Sequence, residues 1–135
     1  MMNFKKYSPL LLRVGISMVF LWFGFSQIKN PSNWTGMMPE YIQSAISLPP
    51  NTLIYINGAF EIMFAVLLLI GFFTRTASLL LTLHLFHIVT IVGYGAVGAR
   101  DFALALATFS IFLRGRDEFC LDELLAEKRN KKKKG

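Results

Sequence analysis

The sequence predicts an all-α integral membrane protein: a bundle of four transmembrane helices, with a short interfacial helix between the first and the second. Three observations predict it. Hydrophobic residues make up 54% of the chain and mean hydropathy is +0.50, more apolar than an ordinary soluble domain of this size. A bilayer-spanning helix needs roughly 20 mostly apolar residues, so four such segments nearly use up 135 residues and leave no room for a separate soluble domain. Basic residues also alternate between crowded and sparse connections along the chain, as they do between the two sides of a membrane.

The first span covers about residues 8–28 and opens near Pro9, which a first helical turn tolerates. Lys5 and Lys6 before an apolar run resemble the start of a signal peptide. Arg13 interrupts that run, however, and no small-x-small cleavage site follows, so the segment is read as a retained span. The connection NPSNWTGMMPEYIQSAISLPP starts with turn residues, and Glu40 to Leu48 then sets Tyr41, Ile42, Ala45, Ile46 and Leu48 among polar residues. That pattern predicts a short helix at the interface, with Trp34, Tyr41 and Tyr55 as an aromatic belt.

The second span, 53–73, follows the breaker pair Pro49–Pro50. The third covers 76–97 and the fourth 101–113. Thirteen residues rise only about 20 Å, so the fourth span is expected to thin the membrane, borrow flanking residues or lean on longer partners. Residues 1–120 form the transmembrane domain, and 121–135 a basic tail solvated beside an anionic leaflet. Lys5, Lys6, Arg75, Arg114, Arg116 and the tail outweigh Lys29 and Arg100, which places both termini in the cytoplasm and the chain in the cell membrane.

The net charge of +6 comes largely from the tail, a short run without interleaved aromatics, so nucleic acid is not expected as a partner. The single cysteine, Cys120, cannot form a dithiol pair, which argues against disulfide-making membrane enzymes. No haem, flavin or iron–sulfur signature is present. Two histidines three apart and one distant glutamate are a weak metal signal, and no metal is expected.

The residues that stand out are ionisable groups at membrane depth. Glu61 is the only charged residue in Tyr55–Phe73. If the second and third spans turn near Phe73, His84 and His87 straddle its level and share a helix face. Asn57, Gly58 and Ala65 lie on the stripe of Glu61, and Arg13, Ser17, Phe20, Gly24 and Gln27 share one face of the first span. In the fourth span, Asp101, Ala105, Thr108 and Phe112 do the same. Intramembrane ionisable residues default to a functional reading. Glu61 is therefore expected to face a polar pocket, either protonated or paired with a histidine. Its plainer alternative is a structural hydrogen-bonding post. Arg13 is expected to snorkel to the nearby surface, and Arg75, Arg100 and Asp101 to serve topology and capping at helix ends.

LLRVGISMVFLWFGFSQI, GAFEIMFAVLLLIGFFTRTASLLLTLHL and GARDFALALATFSIFLRGRDEFCLD together resemble the DoxX family of small four-helix bacterial and archaeal membrane proteins. The shared order is an Arg and Gly in the first helix, G-x-x-E, an L-L-x-G-x-x-T-R turn, and a last helix ending near L-R-G. The chain has C-L-D at Cys120–Asp122 where S-L-D is common. By position, Glu61 and Arg75 match the family motif, while His84, His87 and Asp101 fall where members often carry polar residues.

The resemblance implies association with quinone-linked or thiol-redox complexes. It sets the expectation of a subunit that binds a quinone or similar lipid-soluble carrier and works with a partner subunit or a second copy. In that reading Glu61, His84 and His87 handle protons, and Asn57, Gly58, Phe20, Gly24, Arg13, Arg75 and Asp101 line the site. A non-enzymatic assembly subunit and a small proton-coupled transporter are the alternatives.

Overall fold

Each apolar segment forms a helix in the computed structural model, which describes residues 3–135. The order is α1 (Tyr7–Lys29), α2 (Glu40–Ala45), α3 (Pro50–Ile70), α4 (Thr74–Val92), α5 (Ala96–Arg114) and α6 (Leu121–Lys134), with 3-10 turns at Phe4–Lys6, Pro31–Asn33 and Thr35–Met37. Among the described residues there is no strand. Helices α1, α3, α4 and α5 are long and apolar enough to cross a membrane, and exposed Leu11, Trp22, Phe25, Met63, Leu83 and Leu113 give the bundle an apolar exterior suited to lipid.

The second span lies three residues earlier than expected, because Pro50 opens α3 and left-handed Gly71 ends it, and three further features differ from the sequence expectation. The fourth span is not short: α5 has 19 residues and rises about 28 Å, so it needs no thinned membrane. Glycines at 93, 95 and 98 suggest a break, but Gly98 lies inside α5. A side chain there would collide with the Gly93 carbonyl, so the glycine permits the tight turn rather than ending the helix. Helix α4 stops at Gly93 instead of running to Val97. The basic tail is helical as α6, with Asp122 and Glu123 in its first turn and Lys131 to Lys134 in its last, an arrangement that complements the helix dipole.

Helix α1 packs chiefly on α3, and α4 chiefly on α5; the two pairs meet each other more sparingly. The α1–α3 contact is close because Gly24 and Gly58 face each other. A Cβ on Gly24 would lie 2.8 Å from the Gly58 carbonyl oxygen, and one on Gly58 would lie 2.9 Å from that of Gly24. Small residues at such crossings let two backbones approach. The shared interior holds Ile16, Phe20, Ala65, Leu68, Ala77, Leu81, Leu85 and Ala105. Buried Ser17, Ser78, Thr82 and Thr108 each donate to a carbonyl four residues back on their own helix.

The end of the bundle near both termini is locked by the segment after α5. Helix α3 ends at Gly71 in the left-handed region, with Phe72 N–H donating to Leu67 O and Gly71 N–H to Leu68 O, the paired bonds of a Schellman motif. Arg13 does not snorkel. It is 2% exposed, and its guanidinium turns inward to donate to the carbonyls of Leu68 and Leu69 and, at 2.8 Å, to Asp117. Those carbonyls lie in the last turn of α3, where the helix itself runs out of donors; Leu68 O shares Arg13 with the Gly71 N–H, and Leu69 O takes Arg13. From the other side, Asp122 caps α4 by accepting from Phe73 N–H (3.0 Å), Thr74 N–H (2.9 Å) and the Thr74 hydroxyl (3.0 Å). Cys120 is buried against Gly71, where a Cβ would lie 2.6 Å from the Cys120 Cα.

Burial pushes the Asp117 carboxyl up, but the Arg13 hydrogen bond and charge and the Phe119 N–H together hold it below the ordinary value of 3.8. A carboxylate whose pKa is lower folded than unfolded adds stability above its unfolded pKa and loses it as pH falls through the folded value. The thermal midpoint of the detergent-solubilised protein is therefore expected to drop below about pH 4. The gap between wild type and Asp117→Asn should be widest near neutrality and close in acid. Parallel curves for the two proteins would show that the pair contributes no pH-dependent stability.

Candidate functional site

Helix α3 presents Ile54, Gly58, Glu61, Ala65 and Leu68 to the interior, which puts Glu61 near the middle of a 21-residue span. Its carboxylate is held from three helices. Oε1 lies 2.9 Å from His84 Nε2 on α4 and accepts from Asn57 Nδ2 at 3.1 Å; Oε2 accepts from Gln27 Nε2 on α1 at 3.1 Å. Asn57 also donates to Gln27 Oε1 at 2.7 Å, closing a ring of three side chains. The close Gly24–Gly58 contact sits one turn from both Gln27 and Glu61 and brings α1 near enough for this ring.

The Glu61–His84 pair can hold one proton on either partner. With the carboxyl ionised, Nε2–H donates to Oε1; with the carboxyl protonated, Oε1–H donates to Nε2. Such a pair suits proton exchange with a group bound beside it. Among the described residues, no buried side-chain nitrogen or oxygen lacks a hydrogen-bond partner.

The pair forms the inner end of a cavity of about 390 Å³ between the α1–α3 and α4–α5 pairs. Its walls are mostly apolar, including Phe20, Phe60, Leu85, Ile88 and Ile91, and Trp34 to Ile42 of the long connection cover it. The His84 ring packs against Phe60 with centroids 5.2 Å apart. At the rim, Asp101 is buried and bonded to Arg100 at 2.8 Å, and the Arg100 guanidinium lies 5.2 Å from the centre of the Phe23 ring.

The residues singled out in the sequence divide into groups. Glu61, His84 and Asn57 meet directly, and Phe20 and Asp101 line the same cavity. Asp101 lies in the second turn of α5 and faces inward, so it does not cap that helix. His87 does not reach Glu61; its Nε2 lies 2.7 Å from the Tyr41 hydroxyl at the cavity edge. Gly24 and Gly58 are packing surfaces rather than cavity wall. Arg13 and Arg75 lie at the end near the termini. Arg13 belongs to the Asp117 lock, and Arg75 is exposed beside Gly115. Neither lines the cavity.

Sequence reading placed Gln27 on the inward face of α1 without making it a partner of Glu61. The signal was its helical spacing from Gly24, combined with an amide at membrane depth. Among the described residues, no three His, Cys, Asp or Glu side chains gather as a metal site would need.

These features define a class: a four-span helical membrane protein with a buried glutamate paired to a half-buried histidine at the end of an apolar cavity. The DoxX family model matches residues 8–94, from the start of α1 to just past α4. The chain belongs to the DoxX family. No curated protein and no solved structure matches it.

Proposed function

We propose that this chain is a redox-associated membrane subunit that holds a quinone or similar lipid-soluble carrier in the cavity, with Glu61 and His84 exchanging a proton with its oxygen. The observation that carries this reading is the cavity itself. It is apolar along its walls and ends on one acid–imidazole pair, and its volume lies within the roughly 300–1,000 Å³ of small-molecule sites. Phe20, Phe60 and Leu85 offer flat and aliphatic surface to a ring and its tail. Electrons would come from a partner subunit, since Cys120 is a lone buried thiol. The basic residues Lys5, Lys6, Arg75, Arg114, Arg116 and those of α6 sit at the terminal end, so both termini face the cytoplasm of the cell membrane.

The test is mass spectrometry of an organic extract from gently purified protein, wild type against Glu61→Gln. Quinone at near-stoichiometric yield in wild type and at background in the variant is the expected result. No enrichment over bulk lipid in either protein would sink the carrier reading.

One observation favours a non-enzymatic assembly role. The Gln27–Asn57–Glu61 ring is complete without a ligand, as a post fixing helix register would be. Co-purification of a stoichiometric partner with no bound carrier would favour that role.

A further inference from the structure

The Glu61 cavity lies off-centre along the bundle, and its two ends are built from different materials. On one side it continues past Asn57 and His84 to the rim formed by Arg100, Asp101, Met37 and Pro39, where the Arg100 side chain is half exposed. That rim is made by the α1–α3 connection and the first two turns of α5, on the face that also carries the α4–α5 connection. On the other side the interior is packed by Ala65, Leu68, Ala77, Leu81 and Ala105, all with no solvent exposure. Beyond them lie Arg13, Asp117 and Cys120.

The polar groups follow the same division. Toward the connections, side chains of opposite kinds face one space: Gln27, Asn57, Glu61, His84 and Asp101. Toward the termini, the buried hydroxyls of Ser17, Ser78, Thr82 and Thr108 are bonded to carbonyls of their own helices. A hydrogen-bonded relay needs donors that pass from group to group, and these donors are already committed locally. The Arg13 guanidinium is likewise spent on Leu68, Leu69 and Asp117.

From this asymmetry we infer that Glu61 and His84 exchange water and protons with only one face of the membrane, the face carrying the α1–α3 and α4–α5 connections. The terminal face is sealed from them. Any proton taken up or released at the site enters or leaves by way of the Arg100–Asp101 rim. With both termini cytoplasmic, that is the extracytoplasmic side. The inference rests on the cavity of the proposed function but not on which molecule fills it, so loss of the quinone reading would leave it standing.

The test is thiol accessibility in full-length protein reconstituted into vesicles, with the native thiol removed as Cys120→Ser. Asn57→Cys reports on the cavity, Ser78→Cys on the sealed side, and Asn130→Cys in exposed α6 identifies the terminal face. Leu85→Cys, also in the cavity wall, replaces Asn57→Cys if the latter does not fold. The probe is a cationic, membrane-impermeant thiosulfonate, read as a mass shift. The expected result is modification of the cavity cysteine only when the probe is on the face opposite Asn130→Cys, and none of Ser78→Cys from either face. Modification of the cavity cysteine from the terminal face, or from neither face while the detergent-unfolded protein reacts, overturns the inference. Modification of Ser78→Cys from the terminal face does the same.

Discussion

Replacing Arg13 by methionine is expected to destabilise the folded protein by about 3–5 kcal/mol, the largest effect of any single substitution considered. Methionine keeps much of the apolar stem but removes every donor. The substitution leaves the Asp117 carboxylate buried without its cation, removes the Arg13 donor from Leu69 O, and leaves Leu68 O with the Gly71 N–H alone. Removing one member of a buried ion pair costs far more than the pair itself contributes, because the remaining charge stays desolvated. Asp117→Asn should therefore cost less than Arg13→Met, since its amide oxygen can still accept from the guanidinium. The double variant should recover part of the loss, and a thermal-midpoint cycle in mild detergent measures that coupling. A midpoint for Arg13→Met within error of wild type would mean that Arg13 behaves like an exposed ion-pair residue.

Gly24→Ala is expected to cost about 1–3 kcal/mol through overpacking and, if the cavity holds the proposed carrier, to empty it at the same time. The added methyl would lie 2.6 Å from Ile62 Cγ1 and 2.8 Å from the Gly58 carbonyl oxygen. The side chain can turn aside, but the carbonyl belongs to a helix, so α1 and α3 must separate. Gln27 is one turn further along α1, and that separation pulls its amide from both Glu61 and Asn57. Gly15→Ala is the matched control, because a Cβ there meets nothing within 4 Å. It should be neutral or slightly stabilising, as alanine is the better helix former. Thermal midpoints and carrier content of the two variants check both parts: only Gly24→Ala should lose either.

Helical periodicity was enough to read that there are four spans and most of their inward stripes, although on α5 the stripe ends on Ile111 rather than Phe112. Arg13, Ser17, Phe20, Gly24 and Gln27 all lie buried on α1, and Glu61 was conspicuous as a charge in an apolar run. The lock near the termini was not legible in the same way. Asp117 and Asp122 sit in a connection and a first helical turn, where carboxylates are ordinary and no periodicity points inward. Their partners lie far along the chain: Arg13 is 104 residues from Asp117, and Thr74 is 48 residues from Asp122. Arg13 misled for a related reason. Depth alone favours snorkelling, and only the carbonyls ending α3 reveal a better partner inside. His84 and His87 share a helix face, but three residues of rise were enough to give them different partners, Glu61 and Tyr41.

Asp122 supplies the cap of α4, and it comes after the last span in the chain. During synthesis the α3–α4 hairpin leaves the ribosome before this carboxylate exists, so its turn N–H groups must rely on water or lipid headgroups. Arg13, made earlier still, can find the carbonyls of Leu68 and Leu69 once α3 is inserted, but it must wait for Asp117 until α5 is complete. Insertion of the four helices and closure of the bundle are therefore separate events in time. The second waits for the segment Gly115–Asp122 to fold back beneath spans that are already in the membrane.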